Sequence, residues 1–192
     1  FDLDNTLYLE TDYLFKAYSH IGAEIGKAEN IDPQIIRDFL CNSFKNEGRK
    51  DLFNKMLKKF DLKDDYLEKS LKFMRTFPAK ERLNLFPEMK SLIEDLIQEK
   101  KLVFILTNGN LEQQKNKVQH IDWKGLDKNL IIYYAAQYKP KPAPDAVIHL
   151  LKKYNLSPEK VLFIGDDISD YECAKNSGID FSYTKEILKR EV

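Results

Sequence analysis

Leu102-Val103-Phe104-Ile105-Leu106, followed at once by Thr107-Asn108-Gly109-Asn110, decides the fold. Five consecutive apolar residues rich in β-branched and aromatic types, ending in a polar turn, read as a strand buried on both faces. The same texture returns at Leu130-Ile131-Ile132-Tyr133-Tyr134, Val161-Leu162-Phe163-Ile164 and Ile179-Asp180-Phe181-Ser182-Tyr183, and Phe1-Asp2-Leu3 resembles the tail of another such run. Helical patterns starting near Glu88, Leu111, Ala143 and Ser169 separate them. Strand alternating with helix predicts βαβ units with right-handed crossovers, hence an α/β fold: a doubly wound, mainly parallel, Rossmann-like three-layer sheet.

Between the first strand tail and this alternation the period changes. Leu14, Ala17, Tyr18 and Ile21 recur at helical spacing, as do Ile35, Ile36, Phe39 and Leu40, then Leu52, Phe53, Met56, Leu57 and Phe60, then Leu67, Leu71 and Met74. Each set makes one apolar helix face, and breakers at Asn30–Pro33, Asn46–Gly48 and Asp61–Asp65 divide the zone into about four helices. The expected organisation is an α/β core of residues 1–10 and 84–192, with an α-helical cap over 11–83 inserted after the first strand.

Composition narrows the class. The chain has 192 residues, with 31 Lys+Arg against 31 Asp+Glu, 43% hydrophobic and 32% charged residues. That balance excludes a disordered chain and lacks the basic surplus of a nucleic-acid binder. Cys41 and Cys173 stand in no zinc or disulfide spacing, and no apolar run is long enough for a membrane span or signal peptide. The expectation is a cytoplasmic protein with neither a nucleic-acid nor a membrane partner; its oligomeric state is left open. Charge is uneven, however: 12 basic and 7 acidic residues lie between Phe44 and Arg82, including Lys80 and Glu81. Such a surplus suits either an anionic substrate or a solvated helix face.

In open α/β sheets ligands bind past the carboxyl ends of the strands. Four polar segments fall there: Asp2–Thr6, Thr107–Asn110, Lys139–Asp145 and Gly165–Asp170. Asp2, Asp4 and Asp166 together make an oxygen-rich, negatively charged pocket that calls for a hard cation, and Mg²⁺ fits that donor set. Thr107 and Lys141 offer a hydroxyl and a fixed positive charge to phosphate oxygens. Asn110 with Gln113 resembles a helix N-cap and its partner beside Thr107, and Ser169 with Glu172 resembles a second capping box after Asp166 and Asp167.

These segments, in this order and with a helical insertion after the first, resemble the haloacid dehalogenase-like hydrolase superfamily, in its helical-cap phosphatase form. Its DxDxT motif is matched by Asp2, Asp4 and Thr6, its second-motif Ser or Thr by Thr107, and its GDxxxD motif by Gly165, Asp166 and Asp170. Its lysine is most similar to Lys141, with Lys139 in a competing register. The resemblance implies a Mg²⁺-dependent phosphatase of a small phosphorylated metabolite, a nucleotide or sugar phosphate, working through an aspartyl phosphate. Asp2 would be the nucleophile and Asp4 the acid and base. Thr107, Asn108 and Lys141 would hold the phosphoryl group. Asp2, Asp166 and the Asp4 main-chain carbonyl would bind the metal, with Thr6, Asp167 and Asp170 behind them. An acid at Asp4 favours phosphatase over dehalogenase, because an alcohol leaves with a proton and a halide does not. Asp4-Asn5-Thr6-Leu7-Tyr8, together with Thr107-Asn108-Gly109 and the Gln114/Lys117 pair, resemble members acting on nucleotides or acylated sugar-acid phosphates. The alternatives are a phosphomutase using the same intermediate and a non-catalytic phospho-acceptor module. Because Asp2 should end a central strand, several apolar residues are expected upstream of Phe1.

Overall fold

Apolar residues at helical spacing form helices wherever the breakers allow. In the computed structural model, which describes residues 1–78 and 82–191, these are α1 (Glu10–Glu29), α2 (Pro33–Glu47), α3 (Leu52–Phe60) and α4 (Asp65–Thr76). Residues Thr11–Glu81 cluster as one unit; Phe1–Glu10 with Arg82–Val192 form the other. Lys80 and Glu81, part of the basic surplus, lie outside the described residues.

The helical unit buries Tyr13, Leu14, Tyr18, Ile36, Leu40 and Met56. Each such side chain removed from water contributes about 1.5–3 kcal/mol. Asp32 caps α2 by accepting from the Gln34 N–H, and Pro33 occupies the first helical position, where no donor is needed. Ile35, expected on the apolar face, is instead 55% exposed. The face follows Ile36 and Leu40, and Ile35 lies about 100° away around the helix.

In the α/β unit the elements are β1 (Leu83–Asn84), α5 (Pro87–Gln98), β2 (Val103–Thr107), α6 (Leu111–His120), β3 (Ile121–Asp122), β4 (Leu130–Tyr134), α7 (Asp145–Lys153), β5 (Leu162–Gly165), α8 (Ile168–Ser177), β6 (Asp180–Tyr183) and α9 (Thr184–Leu188). All three ladders are parallel: β2 with β4 (Val103 opposite Leu130), β5 with β6 (Leu162 opposite Asp180), and β1 with β3. The first residues join two of them. Phe1 donates to Phe104 O and accepts from Leu106 N–H, both at 2.9 Å, and Asp2 N–H donates to Ile164 O at 2.8 Å. Bonding of one residue to partners two apart is the pattern of a parallel ladder. The order is therefore β4, β2, Phe1–Leu3, β5, β6.

Leu106, Tyr133, Val147, Leu150, Phe163 and Ala174 belong to one core cluster beside these strands. Strand β2 is nearly all buried, whereas β4 and β6 are mostly half-buried. The expectation of strands covered on both faces thus fits the centre of the order and not its flanks. The two-residue pair β1–β3 and the short helix α9 escaped the periodicity because such short segments carry no period. Among the described residues, no helix is long and apolar enough to cross a membrane.

Candidate active site

The first segment turns sharply after the strand position. Asn5 adopts a left-handed conformation (φ 53°), which Asn tolerates better than most residues, and its side chain accepts the Glu10 N–H at 3.0 Å. Asp2 and Thr6 are buried in this turn. The Thr6 hydroxyl meets Thr184 Oγ1 at 3.0 Å and reaches Asp166 Oδ1 at 3.4 Å.

Thr107, the last residue of β2, is buried and donates its hydroxyl to Gln114 Oε1 at 3.2 Å. Asn110 caps α6, accepting from the Glu112 and Gln113 N–H groups at 3.1 and 3.2 Å. Gly109 is needed between them: its φ is +123°, and a Cβ there would stand 2.7 Å from Gln114 Nε2. Asn108 uses both ends of its amide on the main chain of Lys141, donating to Lys141 O at 3.0 Å and accepting from Lys141 N–H at 2.9 Å. Its side chain therefore positions the lysine loop.

Lys141 places a buried cation against Asp2 and Asp170. Its Nζ donates to Asp2 Oδ1, to Asp170 Oδ1 at 2.6 Å and to Leu106 O at 3.2 Å. Lys139, the competing register, has a side chain 72% exposed and pairs with Asp145 at 3.1 Å. In the fourth segment the capping box is formed by Asp167 and Asp170, two residues earlier than the Ser169 and Glu172 expected. Asp167 accepts from Ser169 N–H at 2.6 Å, and Asp170 Oδ2 accepts from Asp167 N–H at 3.2 Å. The Asp carboxylates lie closer to the strand end and so reach the first free N–H groups. Asp170 thus links Lys141 to the Asp166 loop, and Gly165 makes room for it: a Cβ there would stand 2.6 Å from Asp170 Cβ.

Carboxylate oxygens of Asp2, Asp166 and Asp170 lie within 4.8 Å of one another. Asp4 points its carboxylate elsewhere, toward Tyr8, Gln114 and Lys117. Burial pushes the Asp2 carboxyl up to about 7, with Asp170 and Asp4 adding to the rise and Lys141 opposing it. Burial and then Asp170 push Asp166 up to about 6. For Lys141 burial works downward, but Asp2 and Asp170 outweigh it and hold the ammonium above its ordinary value. Three carboxylates face one ammonium here, so the fully ionised cluster keeps two negative charges in surplus. A divalent cation with hard oxygen ligands matches that donor set and that charge.

Glu10 and Thr184 lie in no motif of the sequence, and Gln114 and Lys117 are marked there by resemblance alone. The signal was available in α6, whose ten residues include only two apolar ones, Leu111 and Val118. Its buried residues are Gln114 and Lys117, three apart on one side of the helix.

A parallel sheet thus carries paired aspartates, a buried lysine and an acidic loop at its strand ends. The family is shown by comparison: the chain belongs to the haloacid dehalogenase-like hydrolase family, which matches residues 1–183. Phosphoglycolate phosphatase from Vibrio parahaemolyticus is 26% identical over 183 residues, covering 93% of this chain and 78% of that one. Enolase-phosphatase E1 from Komagataella phaffii is 24% identical over 102 residues, covering 50% of this chain and only 43% of that protein. The crystal structure of HAD hydrolase, family IA, variant 3 from Entamoeba histolytica shares the fold, with a TM-score of 0.59 and 23% identity over 95% of this chain and 81% of that one.

Proposed function

We propose that the protein is a Mg²⁺-dependent phosphomonoester hydrolase of a small phosphorylated metabolite that works through an aspartyl phosphate on Asp2. The observation that carries this reading is Asp2 itself, buried at a strand end on Lys141, with Asp166 and Asp170 beside it and Asp4 in the same turn. The phosphatase names of the relatives support the reaction class, and the aligned phosphoglycolate and enolase phosphatases point to small phosphorylated organic molecules.

The chain's own groups account for each bond made and broken. An Asp2 oxygen attacks phosphorus. The phosphorus–oxygen bond to the alcohol breaks, its electron pair passes to the leaving oxygen, and that oxygen takes a proton from Asp4. Water then attacks the aspartyl phosphate as Asp4 takes its proton, which frees Asp2 and inorganic phosphate. Lys141 and Thr107 hold phosphoryl oxygens, and Asn108, whose side chain is committed to the Lys141 loop, contributes its main-chain N–H. Asp2, Asp166 and the Asp4 main-chain carbonyl would hold Mg²⁺, which would supply positive charge against the phosphoryl oxygens. Thr6, Asp167 and Asp170 position these groups. The α/β unit is read as the catalytic domain and the helical unit as its cap. Two buried free thiols, Cys41 and Cys173, suit a reducing cytoplasm.

Phosphate release measured with Mg²⁺ across nucleotides, sugar phosphates, phosphoglycolate and acylated sugar phosphates tests the reading. At least one should turn over, and activity should vanish in EDTA and in Asp2→Asn. Isomerisation of a sugar phosphate without free phosphate would assign a phosphomutase instead. No turnover with stable phosphorylation of Asp2 would assign a phospho-acceptor module.

A further inference from the structure

The cluster around Asp4 contains a cation that the reaction above does not use. Lys117 is completely buried, and its Nζ donates to Asp4 Oδ2 at 2.6 Å and to Glu10 Oε1 at 2.7 Å. Gln114, one turn earlier on α6, donates to the same Asp4 oxygen at 3.3 Å while accepting from Thr107. The other Asp4 oxygen accepts from the Tyr8 hydroxyl at 2.5 Å. Three donors from two elements thus fix both oxygens of one carboxylate, whose side chain stays 18% exposed.

Stability alone is a weak reason for this arrangement. Burying an ammonium and two carboxylates carries a large desolvation cost, and well-packed apolar side chains of similar volume are often as stable or more so. Yet α6 places Gln114 and Lys117 at its buried positions, where a helix packed for stability alone would carry apolar groups. Both aim at the same carboxylate.

We propose that Lys117, assisted by Gln114, is a positioning residue for Asp4, holding its carboxylate in the one orientation from which it exchanges a proton with the leaving oxygen. This rests on the phosphatase reading above. Glu10 holds the other side of the ammonium and keeps it from following Asp4, so the carboxylate is tethered to a fixed point. Proton delivery matters only when the leaving oxygen is a strong base. An alkoxide must be protonated as it departs, whereas p-nitrophenolate leaves without help.

The test is the leaving-group dependence of kcat/KM, which reports the steps up to release of the alcohol. Wild-type protein and Lys117→Met are compared, with Mg²⁺, on p-nitrophenyl phosphate and on whichever alkyl monoester of the phosphate-release panel the wild type hydrolyses fastest. For Lys117→Met the alkyl value should fall on the order of 100-fold, the size of a general-acid contribution, and the aryl value by less than about fivefold. Equal losses on both substrates, or no loss on either, in a variant with wild-type circular dichroism would overturn the proposal. Should Lys117→Met fail to fold, Gln114→Leu, which removes a neutral donor, is read in the same way: a greater alkyl than aryl loss supports positioning, and equal or absent losses refute it. A wild-type protein inert toward every ester would refute the phosphatase reading itself, a result distinct from an altered ratio.

Discussion

Replacing Lys141 by Met is the sharpest test of the site's electrostatics. The Lys141 side chain is 3% exposed, and its ammonium is shared by Asp2 and Asp170, themselves 9% and 1% exposed. Removing one partner of a buried ion pair costs about 3–5 kcal/mol, because the charge left behind is neither solvated nor paired. Two carboxylates are orphaned together here, so a loss of about 4 kcal/mol is a moderate expectation. For a chain of this size each kcal/mol moves the melting temperature by about 2–4 °C, which gives a drop of about 8–16 °C. Lys139→Met is the internal control. That side chain is 72% exposed and its pair with Asp145 is a surface contact, so its loss should cost less than about 1 kcal/mol. Thermal unfolding of the two variants and the wild type, followed by circular dichroism in EDTA at pH 7.5, compares the two lysines directly. A Lys141→Met variant that melts within about 2 °C of wild type, or a Lys139→Met variant that melts as low as Lys141→Met, would refute the assignment of Lys141 as the buried cation.

The raised Asp2 and Asp166 carboxyls fix the sign of a pH dependence. Their folded values, about 7 and about 6, lie above the ordinary 3.8. Between those values the folded protein holds protons that the unfolded chain has lost, so their contribution is full below about pH 4 and fades as pH rises through 6 and 7. In EDTA the melting temperature should therefore be higher at pH 5.5 than at 7.5; a higher value at 7.5 would contradict it. Over that interval the effect is on the order of 2 kcal/mol from Asp2, with the partly exposed Asp166 adding less. Mg²⁺ at about 100 times its Kd should restore about 2.7 kcal/mol at pH 7.5, seen as a rise in melting temperature. Asn108→Ala removes both hydrogen bonds to the Lys141 main chain. It should cost about 1–3 kcal/mol by thermal unfolding and lower kcat/KM through displacement of Lys141.

Much of this architecture was legible because it rests on long periodic signals. Strand β2 and the helices α1 to α4 declare themselves through apolar runs and repeats that only one local structure can bury. What escaped had no such signal. Leu83–Asn84 and Ile121–Asp122 pair over two residues, too few for a pattern, and Asp167 took the cap expected of Ser169 because nearness to the strand end decided it. The four polar segments at the strand ends carried the site, since position past a buried strand is readable from one dimension. The partners of Asp4 were not. Glu10 and Lys117 are 107 positions apart, and only folding brings their charges to 2.7 Å. The sparse apolar content of α6 was the visible trace, with Leu111 and Val118 the only apolar residues among its ten.

Asp2 is the group proposed to take the phosphoryl. Protein quenched in acid during turnover of an active ester with Mg²⁺, digested and read by mass spectrometry, tests this most directly. The peptide containing Asp2 should carry one added phosphoryl group that is absent from Asp2→Asn and lost on treatment with hydroxylamine. Turnover with that peptide unmodified and Asp2→Asn as active as wild type would contradict the account.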